Sequence, residues 1–146
     1  MSIKIKYSQN KIGNLSSNLV LFSNEKFSID NLKKYLSNSE YSYITDLLKT
    51  SDLKKNLFLF DVNSKKQIVI ISIKNNIKLS DIENLGAEFY GIVKSRKEKE
   101  YNIFSDCVAI KNDYFLGNFL HGIKLKSYEF KKYKSKKELK SISINI

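Results

Sequence analysis

At 146 residues with 42% hydrophobic side chains, the chain has enough apolar surface for one domain with one substantial core and too little length for two. No run reaches the roughly 18 consecutive apolar residues of a membrane span, and the opening MSIKIKYSQ lacks the apolar stretch of a secretory signal, so a soluble, cytoplasmic protein is expected. The net charge of +11 rests on 26 cationic residues of which only Arg96 is an arginine. Lysines make point-charge contacts that attract polyanions without reading them, so weak, salt-sensitive binding is plausible; sequence-specific recognition is not indicated, since there is no recognition helix with arginines, no zinc-finger spacing and no aromatic-basic strand motif.

In chain order, Ile3, Ile5 and Tyr7 alternate with Lys4 and Lys6, the pattern of an edge strand guarded by lysines. A turn is expected from Asn10 to Asn18, followed by Leu19-Val20-Leu21-Phe22, a continuous apolar run that reads as a strand covered on both faces. Ser28 is placed to cap a helix burying Ile29, Leu32, Tyr35 and Leu36, with Lys33 and Lys34 facing solvent. After Ser37 to Ser39 a second helix buries Ile44, Leu47 and Leu48. Leu57 to Phe60 and Ile68 to Ile71 are two apolar strands joined by the polar Asp61 to Lys66, an antiparallel hairpin. Ser80 with Glu83 fits a capping box for a helix whose stripe is Ile82, Leu85, Gly86, Phe89, Ile92 and Val93, ending in the mixed-charge run Ser95 to Glu100. A strand lies within Tyr101 to Ile110, and a final strand alternates Ile142, Ile144 and Ile146 with Ser141, Ser143 and Asn145. Apolar strands interleaved with amphipathic helices predict an α/β fold, a three-layer sandwich with a mixed sheet of six strands and helices on both faces.

Between the last two strands lies the most distinctive stretch, Asn112 to Lys137. Asn112 can cap a helix whose apolar face is Phe115, Leu116, Phe119, Leu120, Ile123 and Ser127. Gly117 and Gly122 fall inside it, each costing about 1 kcal/mol of helix propensity relative to Ala, a cost tolerated where backbones approach closely. Beyond it, Tyr128, Phe130 and Tyr133 are interleaved with Lys131, Lys132, Lys134, Lys136 and Lys137, an exit segment whose rings anchor while its ammonium groups stay hydrated.

Leu125, Tyr128, Phe130, Tyr133 and Lys134 match the Leu-x-x-Tyr-x-Phe-x-x-Tyr-Lys motif that ends the N-terminal domain of the cytosol (leucyl) aminopeptidases, and Leu85-Gly86 resembles the Leu-Gly turn of that domain's preceding helix. The order of elements resembles the same domain over nearly the whole chain. The resemblance implies a macro-domain-like fold and a single non-catalytic N-terminal domain over 1–146, belonging to a usually hexameric hydrolase. Such enzymes remove N-terminal residues from peptides with two divalent ions, zinc or manganese, held in a C-terminal domain. Neither the Asn-Thr-Asp-Ala-Glu-Gly-Arg motif of that domain nor its metal-binding lysine and aspartates occur in this chain, so no catalytic residue carries over. Where related aminopeptidases read Val-Gly-Leu-Gly after the fourth strand, Ile71-Ser72-Ile73-Lys74 stands here.

The residues themselves give little chemistry. His121 is the only histidine, which rules out a metal site built on several histidines, and reads as a partly exposed or hydrogen-bonded residue. Cys107 is the only cysteine; with Val108 and Ala109 beside it, a buried thiol is expected. Asp52, Asp61, Asp81, Glu83, Asp106 and Asp113 are dispersed and explicable as caps and strand ends. The five glycines form no phosphate-binding turn; Gly117 to Gly122 has the spacing of a Walker A start, but Ile123 stands where lysine is required. The same shortage weighs against an ADP-ribose pocket of macro-domain type. No catalytic, cofactor or metal residue is therefore assigned. Tyr128, Phe130, Tyr133 and Lys134 are expected to contact the catalytic domain or neighbouring subunits. Lys124, Lys126, Lys131, Lys132, Lys136 and Lys137 are expected to contact nucleic acid nonspecifically if such a partner is bound. A macro-like small-molecule binding domain is the third reading.

Overall fold

The computed structural model describes residues 3–6, 18–96, 100–107, 114–131 and 142–146. Among these residues six strands form one sheet: β1 (Ile3–Lys6), β2 (Asn18–Asn24), β3 (Leu57–Asp61), β4 (Gln67–Ile73), β5 (Glu100–Ile103) and β6 (Ile142–Asn145). Their order across the sheet is β1-β6-β5-β2-β4-β3. All neighbours run parallel except β3 and β4, which form the hairpin that the apolar runs predicted. Among the described residues three α-helices accompany the sheet, α1 (Asn38–Thr50), α2 (Leu79–Val93) and α3 (Phe115–Lys131), with 3-10 helices over Asp30–Tyr35 and Ser105–Cys107.

Strand alternation divides the core into two layers. On one face, Val20 and Phe22 of β2 and Val69, Ile71 and Ile73 of β4 pack with Tyr101, Ile103, Ile142 and Ile144 beneath α2 and α3. On the other, Leu19, Leu21, Ile68 and Ile70 of the same strands pack against Leu32 and Tyr35 of the 3-10 helix and Ile44 and Leu48 of α1. The fold is thus an α/β sandwich with a mixed sheet and helices on both sides, as expected. Among the described residues the second helical layer lies over β2, β4 and β3 rather than the whole sheet. At the β1 edge, Lys4 and Lys6 are exposed while Ile3 and Ile5 pack on the α2/α3 side, so the lysine guard expected there is present.

Asn18, expected in a turn, is instead the buried first residue of β2. Its Oδ1 accepts a hydrogen bond from the Gln67 amide at 2.8 Å, and its Nδ2 donates to the Glu100 carbonyl at 2.9 Å. One side chain thereby ties β2 to both neighbours, and the Tyr101 hydroxyl donates to Gln67 Oε1 at 3.0 Å to close the network. With each of these polar groups partnered, the cluster fixes the parallel register without leaving an orphan in the core.

The capping box forms at a different helix from the one predicted. Ser37 Oγ accepts from the Glu40 amide at 3.2 Å and Glu40 Oε2 accepts from the Ser37 amide at 3.4 Å, at the start of α1. At α2 the N-cap is Lys78, which leaves Ser80 inside the first turn with no side-chain cap. Nor does Ser28 cap the first helix: that element is a 3-10 turn whose N-cap is Ile29. Lys66, expected in a polar connection, is 7% exposed and pairs with Glu40 Oε1 at 2.8 Å.

Candidate functional site

The functional expectations converge on α3, which is held in place by its packing on α2 and β2. Phe22 meets Phe115 and Phe119 edge-on at 5.2 and 5.5 Å, and Phe119 also touches Phe89 of α2 at 5.9 Å. Gly86 of α2 and Gly122 of α3 face the opposite helix at its backbone. A Cβ on Gly86 would run into the Phe119 carbonyl oxygen, and one on Gly122 into that of Glu83. The close approach expected at Gly122 is therefore real and reciprocal, whereas Gly117 faces open space. Leu85-Gly86 lies at this crossing.

With Phe119, Leu120, Ile123 and Ser127 turned inward, the opposite stripe of α3 carries His121, Lys124, Leu125 and Tyr128, spaced at three and four residues. Leu125 is 48% exposed and Tyr128 65%. His121 Nδ1 and Glu83 Oε1 lie 2.9 Å apart, a cross-helix tie between α3 and α2. This is the hydrogen-bonded surface histidine anticipated from the sequence.

Of the predicted contact residues, Tyr128 and Lys124 are exposed on α3 and Lys126 is half-buried there. Phe130 and Lys131 belong to α3, with side chains outside the description. Lys132, Tyr133, Lys134, Lys136 and Lys137 lie outside the described residues, as do Asp113 and the proposed cap Asn112. The side chain of Cys107 is likewise outside the description. The structure therefore brings Lys124, Leu125 and Tyr128 together on one stripe. The exposure of Leu125 is a feature that the motif match alone does not give; its signal in the sequence is its four-residue spacing from His121 and three-residue spacing to Tyr128.

The acidic residues remain apart. Asp52 Oδ1 accepts from the Lys54 amide, Asp61 pairs with Arg96 at 3.3 Å, Asp81 sits in the first turn of α2, and Asp106 is exposed in a 3-10 turn. Among the described residues no three His, Cys, Asp or Glu side chains are placed to hold a metal ion. Among the described residues two tyrosines titrate above their ordinary value, neither of them on α3. The Tyr41 hydroxyl donates to Asp30 at 2.7 Å, which raises its value, and burial raises that of Tyr90.

What these features define is a layered α/β domain presenting one mixed apolar and cationic helix stripe. No family model matches the sequence, and no curated protein matches it. Among the described residues no helix is long and apolar enough to cross a membrane.

Proposed function

We propose that this chain is a non-catalytic assembly and regulatory domain of leucyl-aminopeptidase type, the N-terminal companion of a di-metal catalytic domain that removes N-terminal residues from peptides. The observation that carries this reading is the exposure of Leu125 and Tyr128. These are the first two positions of the aminopeptidase-like motif, and they lie outward on a helix whose other face is committed to the core. A leucine and a tyrosine beside Lys124 have the composition of a docking surface, with apolar contact at the centre and charge at the rim. The layered mixed sheet is the architecture that the resemblance implies, and it supports the same reading. In this role α3 contributes contact area, and the two zinc or manganese ions and all reacting groups belong to the companion domain.

The test has two parts. Reading the gene past Ile146 should reveal the family's metal-ligand motif, and the whole product should release N-terminal leucine from a peptide in a manganese- or zinc-dependent way. In that product the double variant Leu125→Ser and Tyr128→Ser should loosen subunit assembly without unfolding the domain. A reading frame that stops at Ile146 defeats the proposal.

A second reading is nonspecific polyanion binding. It is favoured by the net charge of +11 and by the exposure of Lys124 on the same stripe.

A further inference from the structure

The close approach that explains Gly122 does not extend to Gly117. A glycine there weakens the helix interior, yet it lies on the outward face and a Cβ would meet nothing within 4 Å. The Asn118 amide donates to the Tyr114 carbonyl, so helical geometry already runs at Tyr114, which is 72% exposed just ahead of α3. Tyr114, Asn118, His121, Leu125 and Tyr128 then follow one another at steps of four, three, four and three residues, the spacing of a seam between two helices. All are exposed except Asn118, which is half-buried with its Nδ2 donating to the Tyr114 carbonyl at 2.7 Å. Tyr114, Gly117, Asn118 and His121 stand as i, i+3, i+4 and i+7, the four corners of a hole that accepts a side chain from a facing helix. With no side chain at Gly117 the hole is deep, and Leu125 is an exposed apolar knob of a size to fill it.

We propose that α3 packs antiparallel on α3 of a second copy of this chain, about a two-fold axis at His121, each Leu125 entering the other copy's hole at Gly117. Size complementarity selects a second copy as the occupant. Knob and hole lie on the same helix, four residues to either side of His121, so a single axis fills both holes at once. The same axis sets Tyr114, seven residues before it, against the other copy's Tyr128, seven residues after it. Nor does this register oppose like charges: Lys124 falls beside the other copy's Gly117, and the two Lys124 positions are offset by about 9 Å along the seam. Five seam residues a side are few beside the roughly 20 to 30 of a standard interface, and a net charge of +11 on each chain resists the encounter, so the dimer is weak and concentration-dependent. Such a dimer rests on the docking role proposed for the stripe and names its occupant, but it requires no companion domain.

The test is sedimentation of the 146-residue chain from micromolar to near-millimolar concentration, where a species of twice the 17.0 kDa monomer should grow in, more of it at higher salt as the positive fields are screened. Gly117→Leu fills the hole while favouring the helix, and should weaken dimerisation at least about tenfold with native circular dichroism. Leu125→Ala should weaken it as well. The two changes together exchange large and small across the axis and should recover the dimer. A chain that stays monomeric throughout, leaving the stripe to some other protein, overturns the proposal, and so does a dimer indifferent to Gly117→Leu. The reading frame past Ile146 bears on the companion domain alone, so the two readings fail separately.

Discussion

A methyl group added at Gly122 would collide with the Glu83 backbone and one at Gly86 with that of Phe119, whereas at Gly117 and Gly91 nothing lies within 4 Å. The same substitution therefore has opposite signs along these helices. Gly122→Ala must push α3 off α2 and should destabilise by about 2 kcal/mol, overpacking at a rigid backbone outweighing the gain in helix propensity. Gly117→Ala has only the gain and should stabilise by about 0.5 to 1 kcal/mol. Urea unfolding of the two variants decides this; equal effects would mean that the helices slide past one another freely. Tyr90 supplies a pH dependence at the same scale. Burial holds its phenol above the ordinary tyrosine value of 10.0, so the folded state resists ionising a group that the unfolded chain ionises readily. Below that ordinary value the stability is fully present, and it is lost as pH rises beyond it toward the folded-state value. Tyr41 shifts in the same direction, but its ring is only half-buried and its hydroxyl lies at the surface, so its contribution is screened. Stability measured across the alkaline range should fall less steeply in Tyr90→Phe than in the natural chain.

Among elements, α1 depends on one side chain with two tasks. Glu40 completes the capping box with Ser37 through Oε2 and pairs with the nearly buried Lys66 ammonium through Oε1, joining the helix start to the β3/β4 hairpin. Glu40→Ala should cost about 2 to 3 kcal/mol, since it opens the cap and leaves a buried ammonium without its carboxylate. Lys66→Met keeps the cap and replaces the charge with an apolar stem, so it should cost less than about 1 kcal/mol. Thermal unfolding of both separates the two roles; because Glu40→Ala breaks the same ion pair and the cap besides, a Lys66→Met that costs as much as Glu40→Ala or more would overturn this account. Neither task shows in the sequence. Ser80 and Glu83 carry the same signature as Ser37 and Glu40, and local pattern cannot tell that α2 starts at Leu79, which puts Ser80 inside the first turn and leaves Glu83 to meet His121, 38 positions on. Lys66 likewise reads as solvated because its partner is 26 positions away. What local pattern does carry is the period of burial. The unbroken runs Leu19 to Phe22 and Ile68 to Ile71 mark central strands because both sheet faces are covered there, and Ile3 to Lys6 marks an edge because its alternate residues are charged. The α3 stripe was half legible. Its inward face follows from spacing, and its outward face acquires meaning only once α2 is seen to cover the other side.

At the scale of the whole molecule, the charge is the property least tied to the fold. A net +11 spread over lysines sets up a positive field around the domain without any preorganised fork for a phosphate. If the field acts on a polyanion, its signature lies in salt dependence rather than in affinity, because each neutralised phosphate releases condensed counterions. A DNA duplex of any sequence should be retarded at low salt, with log affinity falling linearly against log salt, and duplexes of different sequence should share one slope and one intercept. Lys124→Ala should lower affinity alike for all of them and reduce the slope by about 1, as removal of a single phosphate contact does. Leu125→Ser, on the same stripe but uncharged, should leave the slope unchanged. Were Leu125→Ser to flatten the slope as Lys124→Ala does, α3 would be acting through assembly of several chains on one duplex, and the stripe would belong to protein contact instead of phosphate contact. No retardation at low salt would remove nucleic acid from the domain's partners altogether and leave its lysines as a solubilising coat.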